Sequence, residues 1–518
     1  MQEVLGTDEH DPGSMRNSPA SQLEAVSSGQ DEVEKRLRLK AIDRKGIFLC
    51  PVDVENLIDE EHSARAIWEF VGQLDLGMFR GEIRVFEGEA GRSAFDPHLL
   101  ISLWIYAYTQ GVGKARAISR LCDHDPAFQW LTGMQPVSYH TLSDFRISHK
   151  EKLDDLFKQI LAILDSENIV DLKRVFHDGS KIAADASASS FHRLDKVEAN
   201  LQLAKQVIAE LEKEDPQQQS LRLQSAKRRA AKQREESLQK ALEEFKKLPP
   251  TTTRKHETRV SQTDPEARNM KQAGGRYGPA YNAQISTEGK NGFVVAAHIS
   301  QSSSDFGQLV PAVENIIDKT GTKPEEVVVD SGFASKKNIV QMSQQGIQLI
   351  GPLLPQSSTV EQLEKRGIDP DFGKEAFCFN SENNHYICPT GKILSHVCTR
   401  NGKASIEHLY RASAIDCRNC PLKEKCCGKT KRFQRTLIRT EDLPEITSFK
   451  ETMKTQAAKE IYKQRSRFAE FPFAWIKEKF GLRKFHLRGQ DKSLVELIWV
   501  CLAFNITGFI RIKRALLA

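Results

Sequence analysis

Three carboxylates, far apart in the chain, sit where their residue types and spacing could do chemistry. Asp178 closes the run RVFHD and Asp330 closes EEVVVD, and glycine follows each within two residues. Apolar, β-branched runs without polar alternation suit strands covered on both faces, and the carboxyl ends of such strands are where sites form. Neighbouring strands lie about 4.8 Å apart, so two acids leaving adjacent strands share one space and repel unless a cation lies between them. Mg²⁺ tolerates such a pair and keeps positions open for phosphate oxygens.

A third acid would fix two ions for in-line displacement at phosphorus, and the basic stretch IYKQRSRFAEFPFAWIKEKF offers Glu470. Tyr462, Arg465, Glu470 and Lys477 fall within roughly 140° of one helical face and span about 22 Å of axis. There the glutamate would take a metal and the other three would hold phosphates. Pro472 is expected to kink this helix, so the phase is approximate. Other acids read differently. Asp305, before an apolar helical run with Gln308 three residues on, reads as a helix cap. Asp185 reads as surface, and Asp264, in an Asp-Pro turn, is assigned no chemistry. Each acid of the trio taken singly also fits a structural role, and only their joint arrival makes a site.

The cysteines form a second cluster. Cys417-x₂-Cys420 has the spacing of a zinc turn, and Cys388 with Cys426 would complete a tetrahedral site for Zn²⁺. The competing reading is free cysteines in a small irregular subdomain. A redox pair would sit near a βαβ pattern, which this stretch lacks. Cys50, Cys122, Cys378, Cys398 and Cys501 read as buried or incidental, and ten cysteines in so long a chain do not indicate a disulfide framework.

The elements that must position these groups follow from periodicity. Residues 1–45 are polar and poor in aromatics, as in a disordered arm. Residues 46–165 carry apolar residues at three- and four-residue spacings, with Asp96-Pro97 and Ser138 at helix starts, and imply a helical domain. Residues 170–355 alternate strand and helix and imply an α/β layer with a mixed sheet. They are interrupted at 194–250 by a Lys-, Glu- and Leu-rich stretch read as a helical hairpin broken at Asp215-Pro216. Residues 356–442 are cysteine-rich with little periodic pattern, and 443–518 are helical.

The 518 residues carry a net charge of +6, with 39% hydrophobic and 28% charged side chains. From Glu451 onward 14 Lys and Arg face 6 Asp and Glu, so the basic surplus sits at one end. No apolar run approaches the roughly 18 residues a bilayer span requires, and the first residues lack a signal-peptide layout. A cytoplasmic location is expected.

Taken in order, VFHDGSKIAADAS, TDPEARNM with AYNAQIST, VVVDSGFAS and YKQRSRFAEFPFAWIKEKFGLRKFHLRG resemble the DDE transposases of bacterial insertion sequences, in the group whose last acid lies in a Tyr-Arg-Glu-Lys signature. The segments YTQGVGKARAISRLCDHDPAFQWLTG and SYHTLSDFR are similar to the N-terminal domain common in that family. The resemblance spans most of residues 60–515. It implies an α/β protein with an RNase H-like mixed-sheet core, an all-α DNA-binding domain before it, and a cysteine-rich insertion ahead of the final helices that complete it. Asp178, Asp330 and Glu470 would bind two Mg²⁺ ions, with Mn²⁺ a substitute, and Tyr462, Arg465 and Lys477 would contact DNA. The partners would be terminal inverted repeats and target DNA, met by a homo-oligomer on nucleoid DNA, with no membrane involved. The rivals are a non-catalytic transposase-derived DNA-binding protein and a Mg²⁺-dependent nuclease without strand transfer. One departure stands out. The signature has three residues between Arg and Glu, whereas Arg465 and Glu470 have four between them, and helix phase does not choose between Arg465 and Arg467.

Overall fold

The computed structural model describes residues 45, 51–86, 93–213, 221–248, 258–272, 274–353, 359–402, 405–428 and 434–517. The chain divides into Met1–Val52 and Asp53–Ala518, and every element named below lies in the second unit. Apart from Lys45 the expected N-terminal arm lies outside the described residues, as do Cys50 and the Asp215-Pro216 break.

The central sheet is built on β1 (Arg174–Ala183), β2 (Tyr277–Glu288), β3 (Val294–Ser300), β4 (Glu326–Val328) and β5 (Gln348–Ile350). Their order is β3-β2-β1-β4-β5, with a short strand, Arg268–Lys271, paired to the start of β2. The β1–β2 and β2–β3 pairings are antiparallel, and β1–β4 and β4–β5 are parallel. Parallel neighbours need crossovers, and the helices Leu309–Thr320 and Lys336–Gln344 supply them. The consecutive valines of β4 are fully buried, as a strand covered on both faces requires.

Between β1 and β2 the chain makes a hairpin of helices Leu194–Lys213 and Leu221–Lys247. Val197, Leu201 and Ala204 of the first pack on Leu238 and Ala241 of the second. Seven α-helices among the described residues from Ser63 to Ser166 precede the sheet. Asp96 caps Pro97–Thr109 by accepting from the His98 amide, and Ser138 caps Tyr139–Ser148 through His140, each such cap being worth about 1 kcal/mol. Pro97–Thr109 is buried on nearly every side, the fate of a helix that is apolar all round.

The closing helix Gln490–Leu517 lies against it, with the Trp104 and Trp499 rings 6.4 Å apart. One continuous core joins these helices, the β1–β3 part of the sheet and the closing helix. By length and composition Gln490–Leu516 would qualify as a membrane span, contrary to the sequence reading that no run is long enough. Its most apolar window is 72% buried inside the fold, which is the setting of a core helix.

Residues 378–442 contain order that periodicity did not reveal. Five strands, β6 (Cys378–Asn380), β7 (His385–Ile387), β8 (Ile393–Asn401), β9 (Ser405–Ala412) and β10 (Thr436–Asp442), form an antiparallel meander in chain order. The strands are short or half-exposed, and the small core of Phe377, Tyr386, Leu394, Tyr410 and Leu437 draws one or two side chains from each of four strands, too few to mark a period.

Candidate active site

The parallel register of β1 and β4 sets Phe176 beside Val328. Two residues on, Asp178 and Asp330 therefore leave the sheet side by side. Asp330 sits just past the strand in a turn, its carboxylate accepting the Gly332 amide at 2.8 Å. Asp178 is on the β1 face that also carries Ser180, since side chains alternate along a strand. Lys477 donates to the Ser180 hydroxyl and so stands beside the same face.

The third acid arrives by way of an irregular helix. Residues Ser466–Glu470 form a π-helical turn, followed by the helix Phe471–Glu478. Five residues apart on an α-helix, Arg465 and Glu470 would point about 140° from one another. A π-turn, with its i→i+5 hydrogen bonds, brings that spacing onto one face. The amide of Phe471 donates to the Ser466 carbonyl in this fashion, and Arg465 Nη1 reaches Glu470 Oε1 at 2.7 Å.

Pro472 contributes to this arrangement rather than kinking an ideal helix. Lacking an N–H, it leaves the Phe468 carbonyl without its i+4 donor, and the buried Thr287 hydroxyl of β2 donates to that carbonyl instead. Arg467, by contrast, is exposed and lies over the Phe468 ring.

Arg465 bridges all three carboxylates. Its guanidinium is 3.0 Å from Asp178, 3.9 Å from Asp330 and 2.7 Å from Glu470. Burial raises the Asp178 carboxyl to about 6, with the nearby Asp330 charge adding to the rise and Arg465 opposing it. Burial likewise raises the Tyr462 phenol and lowers the Lys477 ammonium, and both feel the charge of Asp178. The structure thus brings Asp178, Asp330 and Glu470 around one cation, with Tyr462 and Lys477 at the flanks. Among the described residues no three His, Cys, Asp or Glu are grouped as a metal centre, neither at the carboxylates, where the guanidinium lies between them, nor at the cysteines. Three carboxylates drawn to one positive group, one of them reluctant to ionise, still fit the demand for divalent cations.

Two family models match the chain. One, described as a transposase DDE domain, covers residues 387–510, and the other, a transposase domain (DUF772), covers residues 52–148. Over these two stretches the chain is similar to insertion-sequence DDE transposases. The DDE match takes in Tyr462, Arg465, Glu470 and Lys477 and begins after Asp178 and Asp330, which it does not include. No curated protein matches the chain.

The same match contains Cys388, Cys417, Cys420 and Cys426, which line one small cavity. Cys388 Sγ accepts the Lys392 amide at 3.2 Å, and burial raises the Cys426 thiol. These cysteines are free in the structure.

Some groups near the acids went unread. Asp305 is not a helix cap: the helix Leu309–Thr320 has Gln308 at its N-cap and no side-chain cap. Its carboxylate instead accepts from Lys181 at 2.8 Å, Asn282 at 2.7 Å and Gln284 at 3.0 Å. Gln284 also bonds His177, whose other ring nitrogen meets Ser286. Burial lowers His177 to about 3, so it is neutral and acts as a hydrogen-bonding spacer. This network occupies the sheet face opposite Asp178, under Gly179, where a Cβ would come within 2.3 Å of Gln284 and 2.7 Å of Asp305. The signal lay in AYNAQIST, where Asn282, Gln284 and Ser286 recur every second residue in an otherwise apolar buried strand. Asp185, expected at the surface, is half-buried and pairs with Lys484 and Arg488. Asp264 is fully buried and accepts from the Tyr281 hydroxyl and the Gly489 amide.

Proposed function

We propose that this chain is a DNA transposase that cuts element ends and joins them to target DNA, using Asp178, Asp330 and Glu470 as the metal-binding triad of an RNase H-like core. The observation that carries the reading is the convergence of the three carboxylates on Arg465. The strand order, three antiparallel strands followed by two parallel ones, supports the core assignment. When bound, two Mg²⁺ ions supply Lewis-acid activation of the attacking oxygen and stabilisation of the leaving one.

The chain's own residues do the remainder. Asp178, Asp330 and Glu470 would hold the ions, Asp178 from the middle strand of the sheet. Arg465 keeps the carboxylates together in the resting protein and turns to DNA phosphate when the ions are held. Lys477, anchored by Ser180, and Tyr462 orient the phosphates on either side of the cut. Arg465 is therefore the signature arginine, since it faces the acids while Arg467 faces away.

Asp330→Ala is the direct test. Cleavage of duplexes carrying the element's inverted repeats in Mg²⁺ should fall by about 10³-fold or more, with DNA affinity retained. Cleavage at the wild-type rate removes the proposed site. Strand transfer from pre-cut ends separates the transposase from a nuclease that only cuts.

The cysteine cavity is proposed to hold structural zinc, supported by Cys388, Cys417, Cys420 and Cys426 on one cavity whose lining also includes Cys427. One zinc per chain is expected by elemental analysis of protein purified without chelator, and a metal-free chain in which Cys388, Cys417, Cys420 and Cys426 all react as free thiols refutes it.

A further inference from the structure

A cleft of about 640 Å³ separates the helical region from the loop that follows the Lys477 helix. Five cationic side chains line it, Lys114, Arg116, Arg146, Arg483 and Lys484, against one carboxylate, Asp185. Lys484 is paired with that carboxylate at 2.7 Å, and Arg146 is buried beside Glu496. Lys114 and Arg116 are exposed and have no ion-pair partner among the described residues, Arg116 lying 4.9 Å over the Tyr139 ring.

The cleft walls are held together by glycines rather than by chance contact. Gly111 and Gly481, both at φ +72°, meet backbone to backbone: a Cβ on Gly481 would lie 3.2 Å from the Gly111 carbonyl. Gly113 lies so near the His486 ring that a Cβ there would come within 2.8 Å of it.

The cleft is also tied to the carboxylates through β1. The Ala183 amide donates to the Arg483 carbonyl at 3.3 Å, and the Phe485 amide donates to the Ala183 carbonyl at 2.8 Å. Five residues of strand separate Asp178 from Ala183, about 16 Å. At 3.4 Å of rise per nucleotide that is about five base steps.

We propose that this cleft seats the sugar-phosphate backbone of the DNA whose scissile phosphate lies at Asp178, Asp330 and Glu470, with Lys114 and Arg116 making phosphate contacts about five nucleotides from the cut. The proposal rests on the transposase reading above. Contacts of this kind set register without reading sequence, so the cleft binds DNA of any sequence. Each phosphate neutralised adds about 0.9 to the slope of log affinity against log salt.

The test is the full-length Lys114→Ala/Arg116→Ala variant, titrated with a labelled duplex of arbitrary sequence over a salt series. The expected result is at least about tenfold weaker binding at low salt and a salt slope shallower by about 1.8. The Lys114→Arg/Arg116→Lys variant should restore both, which separates lost charge from misfolding. In ethylation interference, modified phosphates about five nucleotides from the cut should block the wild type and not the double alanine variant. Wild-type affinity and slope in the alanine variant overturn the cleft while leaving the transposase reading intact. Failure of the wild type to cleave its flanking inverted repeats in Mg²⁺, with normal duplex binding and a normal variant effect, overturns the transposase reading instead.

Discussion

At the scale of the residue, the strongest statement concerns the charge state of Asp178. Its carboxyl is raised from the ordinary 3.8 to about 6, chiefly by burial. A carboxyl raised on folding favours the folded state when protonated, so its contribution is fullest below about pH 4 and is lost as pH rises through about 6. Above that range the metal-free protein carries a buried charge only partly offset by Arg465. Asp178→Asn removes the charge and keeps the shape. In chelator at pH 8 the variant should be more stable than wild type, by at most roughly 3 kcal/mol for a shift of about two units. The gap should close as pH falls below about 6, while cleavage stays abolished throughout. Urea unfolding at both pH values reads this directly, and a variant less stable than wild type at pH 8 would show that Asp178 has a supporting role in the fold. Asp178, Asp330 and Glu470 were legible in the sequence because each has a local signature, an apolar strand ending on an acid or a lone acid in a basic helix. Asp305 was misread because its Asp-x-x-Gln spacing is shared by helix caps, and its partners on β1 and β2 come from far along the chain.

At the scale of the element, the π-turn Ser466–Glu470 decides how the helix that carries Glu470 meets the sheet. An extra residue between Arg465 and Glu470 looked like a defect in a spacing, and the two side chains meet on one face only because the turn widens to absorb it. Helix phase on an ideal α-helix had no means of showing this, since the widening depends on a tertiary contact. That contact is the hydrogen bond from the Thr287 hydroxyl to the Phe468 carbonyl, which Pro472 leaves without a donor. Thr287→Val preserves volume and withdraws the donor, leaving a buried carbonyl poorly satisfied at about 1–3 kcal/mol. The turn then loses its tie to β2, and Glu470 drifts from Asp178. Cleavage in Mg²⁺ should drop at least about tenfold, the equivalent of about 1.4 kcal/mol in the lower part of that range, with duplex affinity unchanged. Thr287→Ser should recover activity. Equal cleavage by Thr287→Val and wild type would mean the turn is held by other contacts. The meander β6–β10 was missed for a related reason: strands that bury at most three side chains each leave little period to read.

At the scale of the whole molecule, the closing helix Gln490–Leu517 joins regions that the sequence presented as separate blocks. Its apolar length is what a core helix and a membrane span have in common, and only its packing against Pro97–Thr109 and β3 tells them apart. Glu496 on this helix is fully buried and accepts from the His486 and Leu487 amides, at 2.9 and 3.2 Å, and bonds the His486 ring at 2.7 Å. It also faces Arg146, 4.0 Å away, which in turn donates to the Gly113 carbonyl at 2.7 Å. One carboxylate thus fastens the loop after the Lys477 helix to the helical region, and both walls of the basic cleft depend on it. Replacing it with alanine strands a buried guanidinium and two amides. Removing one partner of a buried pair costs about 3–5 kcal/mol, so Glu496→Ala should lower unfolding stability by that amount at neutral pH. Because the walls of the cleft lose their common anchor, duplex affinity should fall as well, under conditions where the variant remains folded. The double change Glu496→Leu/Arg146→Met, which removes both charges, should recover much of the stability and not the affinity, since two amides stay unpaired and one cation is gone. A loss below about 1 kcal/mol for Glu496→Ala, within the range of an exposed ion pair, would show that the loop is fixed by backbone contacts at Ala183 and Gly111 alone.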